Sequence, residues 1–584
     1  MTGWWYLSRT ERSSPPGCRG TKSWRRSPFP RRELADPGTE CFEPRRRGRN
    51  AKTQRRRRVA ETGRVKKRIW RRAFPWVALL AGVSCQPSPD VIPQQKPNVL
   101  LITIETLRAD HVSSLGYPRS TTPNLDLLAR QGASFRNAVA QAPFTLPSVA
   151  SLMTGRTPPG HGVRNHPAVL SDSVETLAER FLEAGYQTAG MTRHTWLRSK
   201  SGLDQGFLEY HNNKFAAGLD ARSLSLAASD WLRGSNPEKP FFLWLHFLDP
   251  HLPYTPSFPY SVLYHPEHGE ETEAKHLRSM AAVKRESFEP TPYADLAGGP
   301  YYDLVLRHYP DNRILLDLAF WRRSRGSIFF DQELYSEKEV SQLVDLYDGA
   351  ILYTDDNVGR ILKSLDDLGL RENTIVAVSA DHGEAFGEHG LSFTHDFTLY
   401  DEVLRVPLVI RGPGVQPGTL VEQQVRLMDL GPTLLDLSGA GSFTDAEAMS
   451  LAPLLRGGTV PFLEAFAESA PRRPQFPEQE RVYFTGNRGK WRMVRTDRWK
   501  LIRIPHPEGD LYELYDLVED PRETRNLFDV LPGEALKLMP RLEAWLSRDP
   551  EGEREEENGE ENALPGLDPA DVEQLKALGY IQDP

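Results

Sequence analysis

The sequence predicts an α/β fold built on a mostly parallel central sheet, and three observations support this prediction. Continuous apolar runs, such as NVLLITIE at 98–105, suit strands that are buried on both faces of a sheet. Stretches with helical spacing lie between these runs, and alternating strands and helices are typical of parallel sheets. Acidic residues end several of the runs, at the carboxyl edge where open parallel sheets form their sites.

The predicted elements follow one another through a large domain at residues 97–475. After the strand at 98–105, the segment 121–135 has a capping-type start, helical spacing and Gly132 as its stop. Further apolar runs predict strands at 239–249, 374–381 and 406–414, and helical spacing recurs at 173–186 and 348–370.

The chain beyond residue 475 has a different character. Residues 476–548 contain WRMVRTDRWKLIRI and DLYELYDL, which alternate in polarity and predict a small antiparallel-sheet domain. Residues 549–584 predict an acidic disordered tail followed by a short amphipathic helix. Within the large domain, the weakly periodic segment 255–340 predicts a substrate-facing insertion, with a long surface loop as the alternative.

The amino-terminal part of the chain is strongly basic. The first 72 residues hold 23 Lys+Arg and 6 Asp+Glu, a net charge of +17, and the remainder holds 49 and 73, a net of −24. Residues 1–64 predict a basic disordered head without a periodic apolar pattern, so we expect no nucleic-acid partner. They contain no methionine after Met1, and a start at Val65 would place them outside the protein.

Residues 65–85 have the layout of a secretory signal. A cationic stretch precedes an apolar run of about a dozen residues and small residues before Cys85. The run is too short to span a bilayer, and AGVSC resembles a bacterial lipoprotein processing site. We expect an exported protein, either secreted or a periplasmic or cell-envelope lipoprotein with lipid on Cys85. Residues 86–96 predict a Pro/Gln-rich linker.

All three cysteines lie at or before the expected processing site, at Cys18, Cys41 and Cys85. The mature body would therefore have no thiol other than the lipidated one. This distribution excludes a disulfide framework, cysteine-rich zinc sites and a cysteine nucleophile from the folded part.

Chemistry-bearing residues recur at strand ends and at one helix start. Glu105 ends the first apolar run, and adjacent Asp381 and His382 end another, which offers oxygen and nitrogen ligands for a divalent metal. Thr145 begins a helix of small residues, where backbone N–H groups favour an anion. Taken singly, Glu105 also suits a structural carboxylate and Thr145 an ordinary N-cap.

Three further histidines are candidate contacts for a substrate. His251 follows the strand at 239–249, next to a proline-flanked aspartate. His389 and His395 follow the Asp–His pair closely.

Several of these segments occur in a fixed order over roughly residues 96–530: NVLLITIETLRADH, FTLPSVASLMTGRTPPGHGV, HFLDPHLPY, VSADHGE, LYDEVLRVPLVIRGPG and DLYELYDLVEDPRETRNL. This series resembles the sulfatase family of the alkaline-phosphatase-like superfamily. The resemblance implies an α/β/α sandwich that holds a divalent metal ion.

The resemblance also assigns roles to individual positions. It implies that Glu105, Asp381 and His382 are metal ligands, that Thr145 stands at the nucleophile, and that His251 contacts the ester anion. Arg108 and His161 lie in family motifs and are expected to bind substrate.

The chain departs from the family pattern where the nucleophile is made. Sulfatases have Cys or Ser, followed by x-Pro-x-Arg, and oxidise the first residue to formylglycine; here the residues are Thr145, Pro147 and Val149. The β-methyl group of threonine prevents that oxidation from giving an aldehyde hydrate, so no formylglycine is expected. The set Glu105, Thr145, Asp381 and His382 instead resembles the metal site of the superfamily's phosphoglycerol and phosphoethanolamine transferases, where threonine is the nucleophile.

The sequence therefore predicts an exported, metal-dependent hydrolase that cleaves a phosphate or sulfate ester, with phosphate preferred because the formylglycine route is closed. We expect one divalent ion, Ca²⁺, Mn²⁺, Mg²⁺ or Zn²⁺, with room for a second. The expected partner is an anionic ester, such as a sulfated or phosphorylated glycan or lipid. The alternatives are a phosphoglycerol- or phosphoethanolamine-type transferase and a non-catalytic glycan-binding relative.

Overall fold

A computed structural model describes most of the large domain and of the small carboxyl-terminal domain. The described residues are 96–166, 168–212, 220–252, 254, 256–257, 259–264, 330–331, 337–471 and 489–548. The predicted head, signal segment, linker and acidic tail, and most of the predicted insertion at 255–340, lie outside these residues. Within the described part of the chain, no helix has the length and apolar character needed to cross a bilayer.

The described chain contains sixteen strands and ten α-helices. The strands are β1 Asn98–Ile104, β2 Ala133–Val139, β3 Gln187–Thr192, β4 Glu209–Asn212, β5 Phe241–Phe247, β6 Phe330–Asp331, β7 Thr374–Ala380, β8 Ala385–Phe386, β9 Leu391–Thr394, β10 Arg405–Arg411, β11 Thr419–Val421, β12 Val425–Arg426, β13 Ala465–Glu468, β14 Arg492–Arg495, β15 Trp499–Ile504 and β16 Leu511–Asp516. The helices are α1 Pro123–Gln131, α2 Thr145–Thr154, α3 Pro158–His161, α4 Leu177–Glu183, α5 Ala221–Gly234, α6 Glu337–Asp367, α7 Asp401–Leu404, α8 Leu430–Ser438, α9 Ala452–Leu455 and α10 Pro532–Leu546.

The central sheet has nine strands and is mostly parallel, as predicted. Its order is β11-β2-β10-β7-β1-β5-β3-β4, with β12 also paired to β2. Strand β10 is antiparallel to both of its neighbours, whereas β1 is parallel to β5 and β7. Every residue of β1 is buried. Helices α1, α5 and α6 pack together, as do α2, α4 and α8, and the continuous apolar runs follow from cover on both faces of the sheet.

The central strands β1, β5 and β7 bring the candidate residues to one edge of the sheet. Ile104, the last residue of β1, pairs with Ala380 of β7 and with Phe247 of β5. The residues that follow these three strands therefore meet at the shared carboxyl edge. Glu105 and Asp381 become neighbours although they are far apart in sequence.

The small domain is a four-stranded antiparallel sheet, β13-β14-β15-β16, covered by α10. The predicted boundary at residue 475 falls after its first strand, because β13 at Ala465–Glu468 pairs with β14. Glu468, which ends β13, joins the two domains: its carboxylate is buried between Arg164, at 2.5 Å, and Lys490, at 3.1 Å. Burial alone would raise the pKa of Glu468, but Lys490 and Arg164 hold it well below the usual range.

Glu468→Gln should destabilise the protein by about 3–5 kcal/mol, because it removes the buried negative charge that Arg164 and Lys490 contact. Urea unfolding at pH 7 measures the change. The exposed pair Arg136–Glu422 provides the control, and Glu422→Gln should cost no more than about 1 kcal/mol. Because the folded pKa of Glu468 lies below the unfolded value of about 4.3, its contribution is complete above that pH and is lost as the pH falls further. Equal losses in the two variants would contradict the assignment.

Candidate active site

The turn after β1 directs Glu105 into a pocket at the carboxyl edge of the sheet. Glu105 N donates to Phe247 O at 2.9 Å, which extends the parallel pairing by one residue. Thr106 then adopts a φ of 53°, a left-handed conformation that β-branched residues rarely occupy. Asp381 Oδ1 accepts from its N–H at 3.2 Å, and the Tyr347 hydroxyl donates to its carbonyl at 2.7 Å. These contacts hold the strained turn in place.

Thr145 is the first residue of α2, and all ten residues of that helix are buried. Ser148, one turn further, donates its hydroxyl to the carbonyl oxygen of Asp381 at 2.6 Å, which ties the helix start to the end of β7. Thr145 Oγ1 donates to Glu105 Oε1 at 2.7 Å and lies 3.5 Å from His382 Nε2. The predicted nucleophile therefore lies against two of the predicted metal ligands.

Asp381 and His382 form a tight turn after β7. Asp381 Oδ1 accepts from the N–H groups of Thr106, at 3.2 Å, and His382, at 2.9 Å. Gly383 follows because a backbone carbonyl would lie 2.0 Å from any Cβ there. His382 Nδ1 donates to the carbonyl of Gly383 at 2.9 Å, so the lone pair of the neutral ring is on Nε2. That nitrogen lies 3.3 Å from Glu105 Oε1 and 3.4 Å from Asp381 Oδ2.

The negative charges of Glu105 and Asp381 repel each other, and solvent screens this repulsion poorly because both carboxylates are fully buried. Burial alone would raise the pKa of Glu105, but His194 and His246 hold it well below its usual range. Burial, reinforced by the charge of Glu105, raises the pKa of Asp381. Burial alone would lower the pKa of His382, but Asp381 and Glu105 raise it to about 10. Without added positive charge, the second carboxylate favours its protonated form.

The same residues fit a divalent cation. Asp381 Oδ2 is buried and has no hydrogen-bond partner, which is uncommon for a buried carboxylate oxygen and would be relieved by a bound cation. Glu105, Asp381 and His382 each offer a ligand atom, all within 4.8 Å of one another. Together with the Thr145 hydroxyl, these oxygen and imidazole donors form a set that divalent metals accept.

A second group, Glu105, His194 and His251, also has ligand atoms within 4.8 Å of one another. The backbone N–H of Trp196 donates to His194 Nδ1 at 3.3 Å. The neutral ring of His194 therefore carries its proton on Nε2 and acts there as a donor. This tautomer suits contact with an anion better than coordination of a second metal.

His251 and His395 line the same pocket. Their ring centroids lie 5.3 Å apart, and the His395 ring lies 4.5 Å from that of His382. His251 Nδ1 donates to the Leu252 carbonyl at 2.6 Å, and His395 Nδ1 donates to Glu384 Oε1 at 3.1 Å. Burial lowers the pKa of both histidines to about 4. Both are neutral at physiological pH, with their lone pairs on Nε2.

Three predicted substrate contacts, Arg108, His161 and His389, have other partners. The Arg108 guanidinium pairs with two nearby carboxylates, each at 2.8 Å. Both ring nitrogens of His161 are hydrogen-bonded, one to the Ser151 hydroxyl at 3.0 Å and the other to a backbone N–H. His389 stacks on Tyr400 with ring centroids 3.6 Å apart. None of these contacts reaches Thr145.

Sequence analysis missed three residues of the pocket: His194, His246 and Glu384. His194 follows the end of β3, so the strand-end rule could have found it. His246 lies inside β5, where it looks like one more core position, and only its contact with Glu105 at 2.5 Å reveals it. Glu384 ends the motif VSADHGE, so its motif position could have indicated it, and its carboxylate accepts from His395 Nδ1 at 3.1 Å.

The mixed sheet and the buried acid–imidazole pocket at its edge define an α/β enzyme whose centre suits a metal ion. A family model described as Sulfatase matches residues 97–440, more than half of the chain, and one described as N-sulphoglucosamine sulphohydrolase, C-terminal, matches residues 387–546. The chain therefore belongs to the sulfatase family, a family of metal-dependent hydrolases.

Individual relatives are distant but cover most of the chain. An N-acetylglucosamine-6-O-sulfatase of Bacteroides thetaiotaomicron is 25% identical, over 77% of this chain and 86% of the relative. A choline-sulfatase of Rhizobium meliloti is 26% identical over 73% and 83%. Among solved structures, a protein in complex with its substrate D-glucosamine-2-N,6-O-disulfate has a TM-score of 0.61 at 21% identity, covering 80% of this chain and 100% of that one. The phosphonate monoester hydrolase of Agrobacterium radiobacter has a TM-score of 0.56 at 22% identity, covering 77% and 95%.

Asp381→Asn should weaken the binding of a divalent ion by more than about 100-fold. Loss of a residue that only supports a metal ligand typically weakens binding by about 10–100-fold, and this substitution removes the charge of a ligand itself. Titrating the chelator-treated protein with Mn²⁺ in a calorimeter measures the change. Glu388→Gln is the matched control, since Glu388 pairs with Arg108 outside the pocket, and it should bind Mn²⁺ like the wild type. Unchanged affinity in Asp381→Asn would remove Asp381 from the metal site.

Proposed function

We propose that this sulfatase-family enzyme hydrolyses a phosphate or sulfate ester with Thr145 as its nucleophile. The observation that carries the proposal is the 2.7 Å hydrogen bond from Thr145 Oγ1 to Glu105 Oε1, beside Asp381 and His382. A nucleophile next to a proton acceptor, with that acceptor oriented by further groups, is the arrangement that covalent catalysis requires.

Glu105, Asp381, His382 and Thr145 would hold the metal ion. A bound divalent ion lowers the pKa of a hydroxyl and offsets the negative charge that develops on the transferred group. The chain's own residues position the oxygen: Ser148 fixes the start of α2 against β7, and Glu105 sets the direction of the Thr145 hydroxyl.

The covalent step begins with attack by Thr145 Oγ on the phosphorus or sulfur of the ester. The bond to the leaving oxygen breaks and that oxygen keeps the electron pair. The Thr145 proton passes to Glu105 Oε1, which already accepts its hydrogen bond. Water then attacks the phosphorus or sulfur of the Thr145 ester, and one water proton passes to His251 Nε2. The bond to Thr145 Oγ breaks, Oγ takes back its proton from Glu105, and phosphate or sulfate is released.

Two histidines serve the transferred group and the leaving group. His194 donates from Nε2 to an oxygen of the anion. His251, whose Nδ1 donates to the Leu252 carbonyl, has its lone pair on Nε2. The charge of a bound anionic ester favours the imidazolium form, so Nε2 takes up a proton when the ester binds and delivers it to the leaving oxygen. Both histidines are buried, and the low dielectric of a buried site strengthens both interactions.

Phosphate esters are the preferred substrate class. Thr145 cannot provide the formylglycine hydrate that sulfatases use, whereas its hydroxyl, beside the residues that would hold a divalent ion, would be a sufficient nucleophile for phosphoryl transfer. Sulfate esters are the second candidate, which is supported by the sulfatases among the relatives. The anionic ester could belong to a glycan or a lipid, and the glucosamine-disulfate complex of one structural neighbour favours a glycan.

Thr145→Ala should abolish hydrolysis, whereas Thr145→Ser should retain much of it because the hydroxyl oxygen is kept. A panel of 4-nitrophenyl phosphate, bis-4-nitrophenyl phosphate, a phenylphosphonate ester and 4-nitrophenyl sulfate, each with Mn²⁺, Mg²⁺, Ca²⁺ and Zn²⁺, measures the loss. Residual activity of Thr145→Ala near that of the wild type would rule out Thr145 as the nucleophile. Wild-type turnover of the sulfate alone would reverse the substrate preference.

His251→Gln should slow the hydrolysis of an alkyl ester by about 10²–10⁴-fold and that of the 4-nitrophenyl ester much less. The difference is expected because an alkoxide needs a proton as it leaves, whereas 4-nitrophenolate is stable without one. Comparing kcat for the two leaving groups in both proteins measures the effect. Equal losses on both esters would assign His251 to anion binding instead.

We also propose that the enzyme is exported and attached to a membrane through lipid on Cys85. The cationic and apolar layout of residues 65–85 supports this proposal. Mass spectrometry of the mature protein should find an amino terminus at Cys85 that carries diacylglycerol. An intact terminus upstream of Val65 would contradict both export by this segment and lipidation.

A further inference from the structure

The contact between Glu105 and His246 has no part in the steps described above. His246 lies on β5 at the position paired with Thr103 of β1, and both His246 and Glu105 are fully buried. His246 Nε2 lies 2.5 Å from Glu105 Oε2. The other oxygen, Glu105 Oε1, meets Thr145 and His382. The two oxygens of one carboxylate thus have separate partners.

A chain of hydrogen bonds behind His246 determines where its proton lies. Trp244 Nε1 is a donor only, and it lies 3.0 Å from Thr103 Oγ1. The Thr103 hydroxyl therefore accepts from Trp244 and directs its own proton to His246 Nδ1 at 2.8 Å, a better distance than the 3.4 Å to the Leu245 carbonyl. Because Nδ1 accepts, the neutral ring carries its proton on Nε2. His246 therefore donates a hydrogen bond from Nε2 to Glu105 Oε2.

This arrangement excludes His246 as a metal ligand. One ring nitrogen faces the Thr103 hydroxyl and the other faces Glu105 Oε2, so both are engaged on the sheet side of the carboxylate. The ring can influence a bound ion only through Glu105.

We propose that His246 is a positioning residue that anchors Glu105 Oε2 so that Glu105 Oε1 alone faces the metal ion and Thr145. A glutamate side chain has three rotatable bonds, and holding one oxygen removes most of the conformational freedom that ion binding would otherwise have to restrict. The anchor also prevents both oxygens from binding the ion together. The inference rests on the proposed metal centre, in which partners behind a ligand typically affect affinity by about 10–100-fold.

Two variants of His246 separate the hydrogen bond from the side-chain volume. His246→Leu removes the donor, and His246→Gln keeps an amide N–H of similar reach. We expect His246→Leu to bind Mn²⁺ about 10–100-fold more weakly than the wild type and His246→Gln to recover most of that loss. Calorimetric titration of the full-length, chelator-treated protein with Mn²⁺ measures affinity independently of turnover, and circular dichroism checks the fold.

Thr103→Val tests the chain of hydrogen bonds without changing the shape of the side chain. It should weaken Mn²⁺ binding by less than His246→Leu, because His246 loses only the partner that fixes its proton. Thr188→Val is the matched control: Thr188 is also a buried strand threonine with two hydrogen bonds, to Gly206 and Leu208, away from Glu105. It should bind Mn²⁺ like the wild type.

The inference is overturned if folded His246→Leu binds Mn²⁺ as tightly as the wild type. If His246→Leu does not fold, wild-type affinity in Thr103→Val, or an equal loss in Thr188→Val, overturns it instead. If the variants show the expected pattern of Mn²⁺ affinities but the wild type hydrolyses no ester, the proposed function is overturned and the role of His246 remains. A wild type that binds no Mn²⁺ would overturn the metal centre and this inference together.

Discussion

Two buried carboxylates, Glu105 and Asp381, face each other across the ends of adjacent strands, and the rest of the pocket is arranged around their mutual repulsion. Neither is exposed to solvent, so their charges are poorly screened and cannot both persist without a nearby cation. His382 supplies part of that charge, and an Asp381 oxygen without a hydrogen-bond partner is left facing it. A divalent ion satisfies this arrangement more fully than a proton does. The fit of this site to a divalent ion thus follows from burial and register.

The surrounding structure keeps that costly arrangement in place. Asp381 and Tyr347 hold the strained turn at Thr106 through hydrogen bonds to its N–H and its carbonyl. Because Gly383 has no side chain, the backbone of α7 can approach the Asp381–His382 turn closely. Glu384 N donates to the Glu402 carbonyl at 3.1 Å, and the next residue back, Asp401, is bound by Lys500 of the small sheet at 2.6 Å. The small domain therefore supports the Asp381–His382 turn from outside the pocket, besides its link through Glu468.

The sequence predicts correctly those elements whose own residues show a recognisable pattern. Strand β1 is a continuous apolar run because both faces are covered, and the acids that follow β1 and β7 mark the carboxyl edge. The start of the small domain was placed too late because β13 is only four residues long and shows little alternation. His246 was missed because a histidine inside an apolar strand shows its role only through a neighbour from another strand. Motif position suggested His161 and closeness in sequence to Asp381 and His382 suggested His389, whereas the fold gives both rings other partners.

The proposed threonine nucleophile would be a change of chemistry within the family. The pocket retains its acids and its imidazoles, and Thr145 lies in hydrogen-bond contact with Glu105. The most direct test of this account is rapid quenching of wild-type enzyme during turnover of an activated aryl phosphate or sulfate, followed by peptide mass spectrometry. The account predicts a phospho or sulfo group on Thr145 that disappears as substrate is exhausted. Turnover with no adduct on Thr145, or with the group on another residue, would contradict it.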